Sequence, residues 1–250
     1  MFTLNHFIWI GISLAIIAIL LFISLKFKLN KKQAITIMAI IGIASELLKI
    51  FTHIEVVKDG DKIVRGFIEP TALPLHLCSI FIFVFIFLVF SKKEELNDKI
   101  ISFFVPIGLV GALIAILLAT SGVDFREPYS YQCFIYHASM VYLALYFIIT
   151  HQVDLGLKAF IRNIIILFSL AIIMIWVNGA LSAYDTNFFF VCRPPAKNLP
   201  ILNLNHGWFV YFLSLSGCGL LIEFLVSLPY IIKELKNKNK ESNKEEEQVQ

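Results

Sequence analysis

The sequence predicts an all-α, polytopic membrane protein: a bundle of about seven transmembrane helices. Of its 250 residues 58% are hydrophobic, and the mean hydropathy of +0.81 exceeds that of ordinary soluble domains. Apolar runs of about 20 residues recur along the chain, and each is long enough to cross a bilayer core. The predicted spans are residues 6–27, 33–54, 73–91, 99–119, 131–150, 158–180 and 208–231.

The first apolar run is expected to stay in the protein as a helix. Residues 1–5 carry no basic residue, and the run extends from about Phe7 to Leu25. It ends at KFKLNKK, whereas a cleaved signal peptide would end at a small-residue cleavage site.

The distribution of basic residues predicts an outward N-terminus and a cytoplasmic C-terminus, because cytoplasmic connectors are enriched in Lys and Arg. One set of connectors carries fourteen of them and the other carries six. The first set is Lys26, Lys28, Lys31, Lys32, Lys92, Lys93, Lys99, Lys158, Arg162, Lys233, Lys236, Lys238, Lys240 and Lys244. The second set is Lys58, Lys62, Arg65, Arg126, Arg193 and Lys197.

Two regions are predicted: a seven-helix transmembrane domain at 1–232 and a charged tail at 233–250. The tail, KELKNKNKESNKEEEQVQ, has few apolar residues to bury. It is therefore expected to be a disordered cytoplasmic extension or a weak helix end. The formal net charge of +3 is modest, and no nucleic-acid partner is expected. The oligomeric state is left open.

Four spans carry polar residues at a similar depth near their outer ends. Such residues are costly in lipid, so they are expected to face the bundle interior and to mark a functional site. A rise of 1.5 Å per residue places Cys78 about 8 Å and His137 about 9–10 Å below the starts of their spans. The residues at this level are Glu46, Lys49 and His53 on one face of the second span, Cys78, His137 and Asn178.

Cys78 is a candidate nucleophile with His137 as its base, because an imidazole helps a thiol to form the reactive thiolate. His76 is two residues from Cys78, about 200° away on a helix, so it is not expected to face that thiol. Cys133 is a rival nucleophile, one helical turn before His137 on the same face. Spacing alone does not decide between the two cysteines.

Other roles are open for these residues. Cys78 could be a small apolar core residue, and Glu46 with Lys49 could be a structural ion pair. Zinc could in principle be held by His53, His76, Cys78 and His137. The chain has neither H-E-x-x-H nor any other two-ligand helical spacing beyond Cys133/His137, so no metal is expected.

Two pairings elsewhere in the chain are also considered. A Cys133–Cys192 disulfide is an alternative arrangement for two of the four cysteines. Glu223 is expected to pair with a basic residue such as Arg162, without a catalytic part.

Three segments carry a resemblance to a known family: PLHLCSI, FIYHASMVYLALY and TNFFFVCRPPAKN. From about Ile41 to Leu228, the chain resembles the YwaF-like bacterial integral membrane proteins, whose animal relatives are the transmembrane-protein-164 acyltransferases. The resemblance implies a seven-helix fold and, in the animal relatives, transfer of a fatty acyl chain between phospholipids by a cysteine and a histidine. By motif these are Cys78 and His137, which implies Cys78 over Cys133.

One element departs from the family pattern. Residues 192–195 read Cys-Arg-Pro-Pro, where many relatives are expected to have Cys-Arg-Lys-Pro. The remaining Arg193 could hold a lipid phosphate through its fork of donors, and the headgroup preference is left open.

The predicted function is therefore cysteine-dependent acyl transfer or acyl hydrolysis on membrane phospholipids, through an acyl-thioester on Cys78. His137 would then deprotonate the acceptor hydroxyl, from a lysophospholipid or water, and no cofactor is expected. His76 and Asn178 would orient the base or donate to the oxyanion, while Glu46 and Lys49 would fix the polarity of the cavity. A multi-pass protein of a bacterial plasma membrane is expected.

Two other classes of protein fit the same pattern. A small-solute transporter or channel could use Glu46, Lys49, His53 and Asn178 as a polar path, although only Glu223 continues it in the inner half. A non-catalytic membrane scaffold is the third alternative.

Overall fold

The structure is a computed structural model that describes residues 3–59, 62–119, 122–196 and 199–249. These residues form seven α-helices, and each predicted span corresponds to one of them, so the all-α polytopic prediction is confirmed. Six are long and apolar enough to cross a membrane. The helices are α1 (Leu4–Lys26), α2 (Lys31–Thr52), α3 (Leu77–Phe90), α4 (Glu94–Leu118), α5 (Pro128–Ile149), α6 (Leu157–Ala180) and α7 (Trp208–Val249).

Helix α5 is the centre of the bundle. It packs against α1, α2 and α4, while α3 packs mainly on α2, and α6 packs on α7. Large side chains of α5 are almost fully buried, including Phe134, Tyr136, Tyr142, Tyr146 and Phe147. A helix that is enclosed on several sides buries its polar side chains too, so α5 can hold a histidine away from lipid and water.

One end of the bundle, called the hairpin end here, carries the charged segment between α2 and α3. This segment forms an antiparallel hairpin of β1 (Ile54–Asp59) and β2 (Lys62–Ile68), with Ile54 paired to Ile68. Helix α6 ends and helix α7 begins at this same end of the bundle, so the connection between α6 and α7 lies there too. The predicted polar level belongs to this end of the bundle.

The predicted start of the third span at residue 73 is wrong. Residues Pro70–Ala72 form a 3-10 turn, His76 is the extended N-cap, and α3 begins at Leu77. Pro74 explains the delay, because proline disfavours helical backbone in the residue before it and cannot donate a helical hydrogen bond. Cys78 is consequently the second residue of a 14-residue helix.

Helix α7 continues through the charged tail to Val249, so the structure shows a helix end where a disordered extension was also expected. No proline or glycine follows Pro229. Glu234 and Lys238 form an ion pair of 2.8 Å at i and i+4, a spacing that stabilises a helix. Of the two alternatives for the tail, the helical one describes the structure.

Candidate active site

The first turn of α3 packs against α5 at the hairpin end. The Cys78 thiol lies near the His137 imidazole, close enough for the two groups to interact electrostatically. The Tyr136 hydroxyl donates to the backbone carbonyl of Cys78 over 2.7 Å, and Tyr136 is 1% exposed. Two consecutive residues of α5 therefore contact Cys78, one at its main chain and one at its side chain.

The hydrogen bond of His137 fixes which ring nitrogen is basic. Nδ1 lies 2.7 Å from the backbone carbonyl oxygen of Cys133, one turn earlier in α5. A carbonyl oxygen can only accept, so Nδ1 must carry the proton in this hydrogen bond. In the neutral imidazole the other nitrogen, Nε2, is then unprotonated and can take a proton from a thiol.

The same bond distinguishes the two cysteines. The Cys133 sulfur lies 3.6 Å from Nδ1, the nitrogen that donates to the Cys133 carbonyl. A protonated nitrogen cannot remove a proton from the Cys133 thiol. Cys78 is therefore the thiol near His137 that the basic nitrogen can serve, and the geometry favours it over Cys133.

The amino end of α3 presents main-chain donors beside Cys78. The first main-chain hydrogen bond of the helix runs from Ile80 N–H to the His76 carbonyl over 2.9 Å, and the His76 side chain does not cap the helix. No described residue accepts from the N–H groups of Leu77, Cys78 and Ser79. Such a helix end attracts negative charge, whether a thiolate or a developing oxyanion.

The predicted pair Glu46 and Lys49 lies against this turn. Lys49 Nζ is 2.7 Å from Glu46 Oε1 and donates to the Ser79 hydroxyl over 3.2 Å. The two side chains are only 7% (Lys49) and 10% (Glu46) exposed. The pair joins α2 to α3, and Gln132 Nε2 joins α5 to α2 by donating to the Ser45 hydroxyl over 2.8 Å.

His76 lies between the site and the connection from α6 to α7. Its ring meets those of Phe188 and Phe190, each at a centroid distance of 5.3 Å. It is also within electrostatic range of Lys49 and His137. His76 precedes the helix, so the angle of about 200° expected between two such residues on one helix does not apply to His76 and Cys78.

Among the contacts of the described residues, none joins Asn178 to Cys78 or His137. Its Nδ2 donates to the carbonyls of Met174 (2.7 Å) and Phe188 (3.1 Å), and its Oδ1 accepts from Phe188 N–H over 2.8 Å. These bonds anchor an aromatic turn, Phe188–Phe190, in which Phe189 and Phe190 have φ of 58° and 56°. In the structure, Asn178 supports the turn whose rings contact His76, and its orienting role stays a prediction.

Arg193 engages a neighbouring acid. Its Nη1 is 2.5 Å from Asp185 Oδ1, and its Nη2 donates to the Asp185 carbonyl over 2.7 Å. Two of its five N–H donors are engaged in this way, and the predicted phosphate contact stays a prediction. Next to it, burial raises the pKa of the Cys192 thiol, an effect that Arg193 opposes and Asp185 reinforces.

Neither the zinc site nor the disulfide is assembled. None of the four cysteines, all of which lie in described segments, is part of a disulfide. The described part of the chain contains no cluster of three or more His, Cys, Asp and Glu side chains that could hold a metal. His53 instead bonds through Nδ1 to the Lys49 carbonyl over 2.9 Å, and its ring contacts Tyr129 at 4.9 Å.

Glu223 belongs to a separate polar cluster. It accepts from Asn163 Nδ2 over 2.7 Å, whereas Arg162 donates to Ser102 and acts on Glu223 only through its charge. The expected direct pair of Arg162 and Glu223 is therefore bridged by Asn163. This cluster joins α4, α6 and α7, and among the described residues its hydrogen bonds do not extend to Cys78 or His137.

Comparison with known proteins decides the family. The family model described as the TMEM164 family matches residues 1–227. The chain belongs to the TMEM164 family. This range includes Cys78, His137 and their contacts, and with the six long apolar helices it makes the chain a multi-pass membrane protein of that family. No curated protein and no solved structure matches it.

Sequence reasoning missed three features of the site: the Tyr136 hydroxyl, the Ser79 hydroxyl and the Cys133 carbonyl. Tyr136 and Ser79 stand next to the predicted His137 and Cys78, so proximity in sequence was a usable signal. The Cys133 carbonyl had no such signal, because every helical residue has a backbone carbonyl.

Proposed function

We propose that this TMEM164 family protein is a membrane-embedded cysteine acyltransferase or acyl hydrolase acting on phospholipids. One observation carries the proposal: the Nδ1–H of His137 is held by the Cys133 carbonyl, which leaves Nε2 basic on an imidazole within reach of Cys78. A half-buried imidazole with a fixed tautomer beside a thiol at a helix amino end is the arrangement that activates a cysteine nucleophile.

The first half of the reaction forms an acyl-enzyme. Nε2 of His137 takes the Cys78 proton, and the thiolate attacks the ester carbonyl of a phospholipid. A C–S bond forms and the ester C–O bond breaks. The imidazolium then gives its proton to the leaving oxygen, which departs as a lysophospholipid.

The main-chain donors of α3 supply electrostatic stabilisation. The oxyanion that develops at the attacked carbonyl requires donors that are already oriented. The N–H groups of Cys78 and Ser79 lie in the first turn of the helix that carries the nucleophile. No described residue accepts a hydrogen bond from them. The Tyr136 bond to the Cys78 carbonyl keeps this turn fixed against His137.

The second half returns the enzyme to its thiol. A hydroxyl, from a lysophospholipid in transfer or from water in hydrolysis, attacks the thioester carbonyl and the C–S bond breaks. Both half-reactions use the donor lipid as the source of the acyl group, so the cycle balances with lipids and water alone.

A burst assay tests the proposal. The purified protein in phosphatidylcholine vesicles is mixed with p-nitrophenyl laurate, and p-nitrophenol release is followed. A fast phase equal to the amount of enzyme reports acylation, and the slower steady state reports deacylation. We expect the burst to vanish in Cys78→Ala, to slow by about a hundredfold or more in His137→Asn, and to persist in the matched control Cys133→Ala. A burst in Cys78→Ala equal to that of the wild type would exclude Cys78 as the nucleophile.

A further inference from the structure

Neither oxygen of the buried Glu46 carboxylate accepts a hydrogen bond in the described part of the chain. Oε1 lies 2.7 Å from Lys49 Nζ in an ion pair, while Oε2 has neither a hydrogen bond nor an ion pair there. The side chain is 10% exposed. A buried oxygen of a charged group normally has a partner, so this oxygen is a place where a donor from outside the protein would be stabilised.

The position of Glu46 links this oxygen to the nucleophile. Its carboxylate acts electrostatically on the Tyr136 hydroxyl, the group that donates to the Cys78 carbonyl. Its partner Lys49 donates to the hydroxyl of Ser79, the residue after Cys78. Glu46 and Lys49 therefore flank the first turn of α3 from the α2 side, while His137 approaches the same turn from α5.

A hydroxyl is the group that fits this pair. The Lys49 ammonium has three N–H donors, of which one donates to Ser79, so an N–H beside Glu46 is left for an incoming acceptor. A hydroxyl can accept from that N–H while donating its own hydrogen to Glu46 Oε2. An ester or a thioester could do only the first.

We propose that Glu46 binds the acyl acceptor hydroxyl and acts as its general base, so that the two half-reactions use different bases. This inference rests on the proposed function. It assigns acylation of Cys78 to His137 and deacylation to Glu46, with Lys49 holding the acceptor oxygen. The substrate class of the second half is an alcohol, the free hydroxyl of a lysophospholipid, with water as the smaller competitor.

The step balances as follows in atoms and protons. Glu46 Oε2 takes the hydroxyl proton while the hydroxyl oxygen forms a bond to the thioester carbon. The tetrahedral intermediate collapses by breaking the C–S bond, which releases the new ester and the Cys78 thiolate. The proton held by Glu46 passes to the sulfur and restores both the carboxylate and the thiol.

A purely structural ion pair makes a different prediction. If Glu46 only neutralised Lys49, its loss would weaken the packing of α2 on α3, and both half-reactions would suffer together. If Glu46 is the base of the second half, its loss leaves acylation nearly unchanged and traps the acyl-enzyme. The burst assay separates these because it measures both phases in one trace.

The test compares Glu46→Gln with the wild type in p-nitrophenyl laurate, with lysophosphatidylcholine added as acceptor. We expect a burst within about threefold of the wild-type rate, followed by a steady state slowed by about a hundredfold. The protein should then carry a laurate on Cys78 by mass spectrometry. Glu223→Gln is the matched control, because it makes the same change at a carboxylate that is 1% exposed and also has an unpartnered oxygen. Its deacylation should equal that of the wild type.

Release of laurate by hydroxylamine distinguishes a general base from a residue with only a structural role. This amine attacks a thioester without needing a base to remove a proton first. It should release laurate from Glu46→Gln and from the wild type at the same rate. If Glu46→Gln is too unstable to purify, Glu46→Asp keeps the charge next to Lys49, and the same selective loss of deacylation is expected.

The outcomes are distinguishable. No burst in the wild type would contradict the proposed function itself. A normal burst in the wild type together with a wild-type steady state in Glu46→Gln would overturn the role of Glu46 alone. An equal loss of both phases in Glu46→Gln and in Glu46→Asp would also overturn it, in favour of the structural ion pair.

Discussion

The Tyr136 hydroxyl donates to the backbone carbonyl of Cys78 over 2.7 Å, across 58 residues of sequence. His137 is the next residue of α5, so one helical segment both locates the first turn of α3 and contacts its thiol. The position of Cys78 relative to His137 is thereby set by a main-chain hydrogen bond and not by the two side chains alone.

Tyr136→Phe is expected to slow formation of the acyl-enzyme by roughly three- to tenfold, because one hydrogen bond of about 0.5–1.5 kcal/mol is lost from the positioning of Cys78. The burst rate with p-nitrophenyl laurate measures the effect. Tyr142→Phe is the matched control, since Tyr142 is equally buried and bonds Ser24 over 2.7 Å, away from Cys78. Equal burst rates in the two variants would contradict the positioning role.

Gly42→Ala is expected to unfold at a lower temperature than Gly111→Ala. A methyl group at Gly42 would lie 3.2 Å from the Ile82 side chain and 3.5 Å from the Tyr136 ring, whereas nothing lies within 4 Å at Gly111. Overpacking costs about 1–3 kcal/mol, while glycine to alanine in a helix gains up to about 1 kcal/mol.

Thermal unfolding of the two glycine variants in detergent checks the difference. Gly111→Ala should unfold at or above the wild-type temperature. Gly42→Ala should also lower the burst rate, since Tyr136 must shift. An unfolding temperature for Gly42→Ala as high as that of Gly111→Ala would show that α2 does not constrain α3 as described.

Asn178→Leu is expected to release the aromatic turn. Leucine keeps the side-chain bulk but leaves the Phe188 N–H without its partner, at about 1–3 kcal/mol for a buried group, and leaves the Phe188 carbonyl only its 3.4 Å bond from Val191 N–H. Limited proteolysis of the protein in vesicles should then cut faster within residues 181–207. Asn203→Ala, at an exposed asparagine of the same connection that bonds only locally, should be cut at the wild-type rate.

Cys192 is expected to react slowly with iodoacetamide at neutral pH. Burial raises the pKa of its thiol, so less thiolate exists at a given pH and the alkylation rate keeps rising above pH 9. Arg193 opposes that increase, so Arg193→Gln should slow the reaction further at pH 8. Peptide mass spectrometry measures both rates, and a rate that levels off below pH 8 would contradict the effect of burial.

Much of the fold could be read from hydropathy. The length of each apolar run fixes a membrane helix, because a bilayer leaves unpaired main-chain groups no alternative. The start of α3 was missed by four residues, although Pro74 is a local signal for it. The tail was harder to predict, because its charges favour solvent exposure while its Lys–Glu spacing favours a helix.

By itself the sequence determined the seven helices and the presence of Cys78, His137, Glu46 and Lys49 at one level, since span length and rise per residue are local properties of a helix. Only the tertiary structure decided which groups meet. The carbonyl of Cys133 selects the protonated nitrogen of His137, Asn178 turns to Phe188, and Arg193 turns to Asp185. Among the described residues, the Glu46 carboxylate stays without a hydrogen-bond donor. These outcomes depend on the rotation of each helix about its axis and on the packing of α2, α3 and α5, which no local pattern specifies.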